Sequence, residues 1–81
     1  MYEEMTAYLA NHIVNEILKN PGKKISADEK IISSGIIDSF SLVDLALFIE
    51  DTYGVIVDDA ELNAETFDTL NELVNLIQSR L

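Results

Sequence analysis

The chain contains no cysteine and no tryptophan, a single proline, three glycines, and five basic residues against fifteen acidic ones. Without cysteine there can be no disulfide framework and no thiolate metal site, which fits a reducing compartment. The shortage of Lys and Arg, with a formal net charge of −10, argues against nucleic acid as a partner. An acidic chain repels the phosphate backbone instead of releasing its counterions. The same sign argues against an anionic membrane surface. No apolar run approaches the ~20 residues that span a bilayer, and the opening Met1-Tyr2-Glu3-Glu4 places acids where a signal peptide needs positive charge. What is present is aliphatic: 48% of the 81 residues are hydrophobic, far more than an acid-rich disordered chain holds. These features predict one small cytoplasmic domain over residues 1–81, with a modest core.

The charge is unevenly spread. Residues 1–30 carry Lys19, Lys23, Lys24 and Lys30 against five acids, a net of −1, whereas residues 31–81 carry Arg80 against ten acids, a net of −9. The second half is therefore an acidic surface, complementary to basic proteins.

No repeat or low-complexity segment interrupts the chain. Met5, Leu9, Ile13 and Ile17 step by four, with Ala10 and Val14 beside them, and Glu4, Tyr8, Asn11, Asn15 and Lys19 fall opposite. That pattern predicts an amphipathic helix from about Tyr2 to Lys19. Asn20-Pro21-Gly22 ends it, Pro21 by breaking the hydrogen-bond ladder and Gly22 by accepting a left-handed cap. A long polar connection follows from Lys23 to about Ser34, which Ile25, Ile31 and Ile32 are expected to pin to the core. A second helix is predicted from Ser39 to Tyr53, with Asp38 as N-cap and Gly54 as terminator. Val55-Ile56-Val57 reads as an apolar linker packed inward, and Asp58 to Leu62 as one short helical turn. Thr69-Leu70-Asn71-Glu72 has the form of a capping box. It opens a last helix with Leu70, Leu73, Val74, Ile77 and Leu81 on one face. The expected fold is all-α: a small bundle of three main helices plus a short fourth, with a long loop between the first two.

The second helix has two apolar sides. At ~100° per residue, Leu42, Leu45, Ala46, Ile49 and Tyr53 cluster as a core stripe. Phe40, Val43 and Leu47 fall opposite, flanked by Asp44, Glu50 and Asp51. A small bundle seldom buries both sides of one helix. Either the second strip stays exposed as a recognition surface with an acidic rim, or copies of the chain associate through it, or the long loop covers it.

At the head of this helix stands Gly35-Ile36-Ile37-Asp38-Ser39-Phe40. From the residues alone, Asp38 is a cap and Ser39 an ordinary first-turn residue. The segment, however, resembles the acyl carrier protein family, which includes peptidyl and aminoacyl carrier domains and has a Gly-x-Asp-Ser-Leu type motif. Asp38-Ser39 matches it at the head of the second helix, with Gly35 three residues before. The long loop and acidic second helix agree, so the resemblance spans essentially the whole chain. It implies that Ser39 receives a 4′-phosphopantetheine arm from coenzyme A through a phosphopantetheinyl transferase (a carrier-protein synthase). Asp38 is then a candidate contact to the magnesium of that reaction. The arm would hold acyl or aminoacyl groups as thioesters. Phe40, Val43 and Leu47, rimmed by Asp44, Glu50 and Asp51, would dock the monomeric carrier on basic patches of loading and transferring enzymes. Phe40 stands where the fatty-acid-synthesis pattern has Leu, and Ser41 where an acid is common. Phe67-Asp68-Thr69-Leu70 looks more like stand-alone aminoacyl or specialised acyl carriers.

The residues also have a physical fit to that role. A phosphodiester on Ser39 would lie at the positive end of a helix dipole. The alternative reading is an unmodified acidic helical adaptor for a basic protein partner. Catalysis by the chain itself is not expected. Its only histidine, His12, is placed on the polar margin of the first helix as a solvated residue, and a serine nucleophile needs a base and an orienting acid beside it. Asp58, Asp59 and Glu61 form an acidic cluster that lacks the pattern of a calcium loop, so no dedicated metal site is expected.

Overall fold

The computed structural model describes residues 2–20, 22 and 24–81. Three α-helices make the bundle: α1 (Tyr2–His12), α2 (Ser39–Tyr53) and α3 (Leu70–Arg80). The short fourth element is a single 3₁₀ turn, Asp59–Glu61. No strand occurs among the described residues, so Val55-Ile56-Val57 is a linker. Val55 and Val57 are buried and Ile56 points outward at 63% exposure. Only two of its three side chains therefore pack inward.

The first helix changes character before its expected end. After His12 the chain widens into a π-helical turn, Ile13–Ile17, in which Leu18 N–H donates to Ile13 C=O at 2.8 Å. Apolar residues four apart overshoot an ideal α-helical face by about 40° per step. By Ile13 that overshoot has accumulated over two steps, and one extra residue in the turn reverses it. Leu9 and Ile13 are both fully buried, and Ile17 stays packed against the core. The left-handed residue at the end is Lys19, at φ 53°. It allows Asn20 N–H to reach Val14 C=O at 2.9 Å. The cap expected at Gly22 is therefore made three residues earlier, and Pro21 lies outside the described residues.

α2 has the expected bounds. Asp38 caps its start, accepting from Ser41 N–H at 2.8 Å. Gly54 ends it in the left-handed conformation at φ 71°, with its N–H on Glu50 C=O. α3 opens on the capping box of Thr69 and Glu72. Its Leu70, Leu73, Val74 and Ile77 are fully buried, each contributing roughly 1.5–3 kcal/mol by leaving water. Leu81 is 69% exposed. It follows the last helical residue, so the phase that buries Ile77 no longer governs it.

The three helices share one core, in which Leu42, Leu45 and Ile49 of α2 meet Met5, Leu9 and Ile13 and the buried face of α3. The connection between α1 and α2 is tied down as its isoleucines suggest. Ile31 and Ile37 are buried in the core, while Ile25, Ile32 and Ile36 pack against it. No helix among the described residues is long and apolar enough to cross a membrane.

Candidate functional site

The site is built at the junction where the loop becomes α2. Gly35 adopts φ +85°, the left-handed region that L side chains avoid, and its N–H donates to Ile32 C=O at 3.0 Å. A Cβ there would meet nothing within 4 Å, so the requirement for glycine is one of backbone conformation. Past the turn, Ile37 N–H closes back on Ile31 C=O at 2.9 Å, with both side chains buried. The next two residues, Asp38 and Ser39, therefore emerge at the surface from a closed, anchored loop.

Ser39 is the first residue of α2 and is exposed. Its hydroxyl has no hydrogen-bond partner among the described residues, so a substituent on Oγ displaces nothing. The Asp38 carboxylate is engaged with the first turn, and its pKa lies below the ordinary carboxylate value because Ser41 N–H donates to it. This keeps a fixed negative cap beside the serine. The site fits a covalently attached arm: an exposed, unbonded hydroxyl at the end of a hydrogen-bonded loop.

The outer side of α2 is open. Phe40 is 87% exposed, Leu47 57% and Val43 45%. The long loop thus does not cover them within one chain. Asp44, Glu50 and Asp51 are exposed beside them, and none has a hydrogen-bonding or ionic side-chain partner among the described residues. The expected apolar strip with an acidic rim is present and begins beside Ser39.

The acidic cluster after α2 is otherwise occupied. Asp58 and Glu61 cap the 3₁₀ turn reciprocally, and Glu61 pairs with Arg80. Among the described residues, no group of three or more metal-binding side chains is gathered.

His12 corrects the expectation of a solvated residue. Its ring stacks on Phe48 of α2, with centroids 3.7 Å apart and planes 11° from parallel, and its Nε2 is buried without a partner. Tyr8, expected on the polar side, lies 5.5 Å from the same Phe48 ring. Phe48 sits between the two apolar sides of α2 and reaches across to α1. The periodicity that defined those sides left it unassigned.

Sequence reasoning also missed the work of Asp68, the one buried charged residue among those described. Its Oδ1 accepts from Ile32 N–H and Ser33 N–H, both at 2.9 Å, and its Oδ2 from Ser33 Oγ–H at 2.6 Å. Its carbonyl accepts from Ile31 N–H at 2.7 Å. The Ser33 donors, with Lys30 nearby, hold its carboxyl below the usual range. The available signal was an acid between Phe67 and Leu70, both core residues, directly before a capping box.

Comparison with known proteins agrees with this geometry. Residues 11–77 match the family described as a phosphopantetheine attachment site. The acyl carrier protein of Thermotoga maritima is 35% identical over 69 residues, covering 85% of this chain and 83% of its own length. The D-alanyl carrier protein of Bacillus velezensis is 30% identical over 63 residues, covering 78% and 81%. That of Lactobacillus delbrueckii subsp. bulgaricus is 28% identical over 72 residues, covering 86% and 90%. Such carriers are non-catalytic, hold a covalent 4′-phosphopantetheine, and meet a phosphopantetheinyl transferase and loading enzymes. With the match covering most of its length and a free serine at the head of its second helix, the chain belongs to the phosphopantetheine-bearing carrier protein family.

Proposed function

We propose that Ser39 carries the 4′-phosphopantetheine arm and that the chain is a monomeric carrier of acyl or aminoacyl groups in the cytoplasm. The observation that supports this best is the exposed, unbonded Ser39 hydroxyl, presented by the anchored loop within the matched segment. The arm's terminal thiol supplies the thioester chemistry. Asp38 caps the helix and contacts the magnesium of the transfer. Phe40, Val43 and Leu47 form the apolar centre of the docking contact, with Asp44, Glu50 and Asp51 facing basic patches of the transferase and of the enzymes that load and unload the arm. D-alanyl and acyl carriers both stand among the relatives. Both small aminoacyl and acyl groups are thus candidate cargoes.

Intact mass after incubation with coenzyme A and a promiscuous carrier synthase tests the assignment. Wild type gains one phosphopantetheine and Ser39→Ala gains none. Wild type that stays at its starting mass favours the unmodified acidic adaptor instead. The mass of the group found on Ser39 in protein isolated from its own host then names the cargo.

A further inference from the structure

We infer that Asp68 is a positioning residue for the modification of Ser39, acting through the loop that presents the serine; this rests on the assignment of the arm to Ser39. Asp68 stands 29 positions after the serine in sequence, directly before the N-cap of α3. It nevertheless holds the approach to Ser39 at several points. Its side chain takes two consecutive backbone N–H groups and one hydroxyl from Ile32 and Ser33. Its backbone carbonyl takes Ile31 N–H. From Ile31 the connection continues to Ile37 N–H, and from Ile32 to Gly35 N–H. Ile31, Ile32 and Ser33 are thus tied directly to Asp68, and Gly35 and Ile37 through one further bond.

Asp68 is itself held rigidly. Its N–H donates to Glu72 Oε1 at 2.7 Å, and that same oxygen accepts from Thr69 N–H. The capping box of α3 therefore anchors the backbone of Asp68, and the loop before Ser39 hangs from its carboxylate and carbonyl. Consecutive N–H groups converging on an ionised acceptor are stronger than neutral hydrogen bonds. Removing that acceptor leaves the N–H groups of Ile32 and Ser33 without partners and frees the loop to sample other conformations. The docking strip on α2 is untouched by that change. The deficit should consequently fall on the transfer step and not on encounter with the transferase: Ser39 Oγ, losing its proton, forms a phosphodiester with the pantetheine-side phosphorus of coenzyme A as the pyrophosphate bond breaks and adenosine 3′,5′-bisphosphate leaves.

Steady-state kinetics of arm transfer to wild type, Asp68→Ala, Asp68→Asn and Ser33→Ala test this. Asp68→Ala is expected to lower kcat about tenfold, in the range that mispositioned reactants produce, with KM for the carrier within about twofold of wild type. Asp68→Asn keeps the shape and the one acceptor oxygen that the two N–H groups need, with Ser33 Oγ able to turn and accept from the new amide, and should recover kcat to within about threefold. Hydrogen exchange should quicken at the Ile31 and Ile37 amides of Asp68→Ala while Leu73 to Ile77 stay protected. Wild-type kcat in Asp68→Ala overturns the proposal, as does an effect confined to KM. If Asp68→Ala does not fold, Ser33→Ala decides, since it deletes one bond from an exposed residue. A lower kcat at unchanged KM supports the role and an unchanged kcat refutes it. Wild type that takes no arm refutes the Ser39 assignment itself, and this role falls with it.

Discussion

Arg80 closes on Glu61: one guanidinium nitrogen donates to Oε1 at 2.9 Å and the other pairs with Oε2. The first nitrogen also donates to Ile56 C=O at 2.9 Å. This bidentate contact ties the end of α3 to the 3₁₀ turn. It also engages the one basic side chain that follows residue 30, which leaves the acids of α2 facing solvent without a competing cation from that half of the chain.

The Arg80 pairing makes stability acid-sensitive. The guanidinium pulls the Glu61 carboxyl from 4.5 down to about 2. A carboxylate whose pKa is depressed by folding contributes its full stabilisation above the unfolded value and loses it as pH falls through the folded one. Urea midpoints should therefore be flat above about pH 5 and fall between pH 4.5 and 2. Arg80→Met should lower the midpoint at neutral pH by a small amount, as exposed pairs do, and flatten the part of the acid slope due to Glu61. Asp38 and Asp68 are also depressed, so a slope from them should remain. An unaltered slope in Arg80→Met would show that the pair does not contribute.

Two leucines two positions apart on α2 should behave in opposite ways. Leu45 is 1% exposed and Leu47 57%. Leu45→Ala should cost about 2–5 kcal/mol by opening a cavity in a core that cannot collapse around it. Leu47→Asp should change stability by no more than about 0.5 kcal/mol, and should slow arm transfer by weakening the docking contact. Sedimentation should give a monomer for wild type. A dimer that Leu47→Asp dissolves would assign the strip to self-association instead.

Gly35→Ala isolates a backbone effect. With no atom near a Cβ at that position, any loss comes from placing an L side chain at φ +85°, about 1–2 kcal/mol. Gly35→Asn should lose less, since Asn tolerates the left-handed region better. Thermal unfolding of the two variants checks the order; equal stability of Ala and wild type would refute it.

The limits of α2, the capping box of α3 and the two sides of α2 follow from local rules that a sequence displays: Asp38, Gly54, Thr69 and Glu72 each act within four residues. The same holds for the placement of Ser39 at the head of α2. What could not be read depends on contacts between distant segments. Asp68 serves the loop 35 residues away through Ser33, and no periodicity marks such a partner. His12 becomes half-buried because Phe48 comes from another helix to cover it. The π turn at Ile13 packs against α2, a helix supplied by a later part of the chain. Long-range contacts decide these features, and local propensity yields to them.

The charge asymmetry has a kinetic consequence. Asp44 and Asp51 are exposed, stand beside the apolar strip, and lack ionic or hydrogen-bonding side-chain partners among the described residues. Their reversal to Lys should thus leave helicity by circular dichroism unchanged. It should raise KM for the transferase several-fold with kcat nearly constant, because electrostatic complementarity acts on encounter more than on chemistry. Wild type should show the same rise in KM with added salt, since exposed charges interact over only about 10 Å at 0.1 M ionic strength. The double variant should show little salt dependence, its attraction having been removed already. This separates docking from positioning: Asp44 and Asp51 move KM, whereas Asp68 moves kcat. Lost helicity in the reversed variant would mean that the carboxylates serve the fold, and an unchanged KM would place the docking surface elsewhere on the chain.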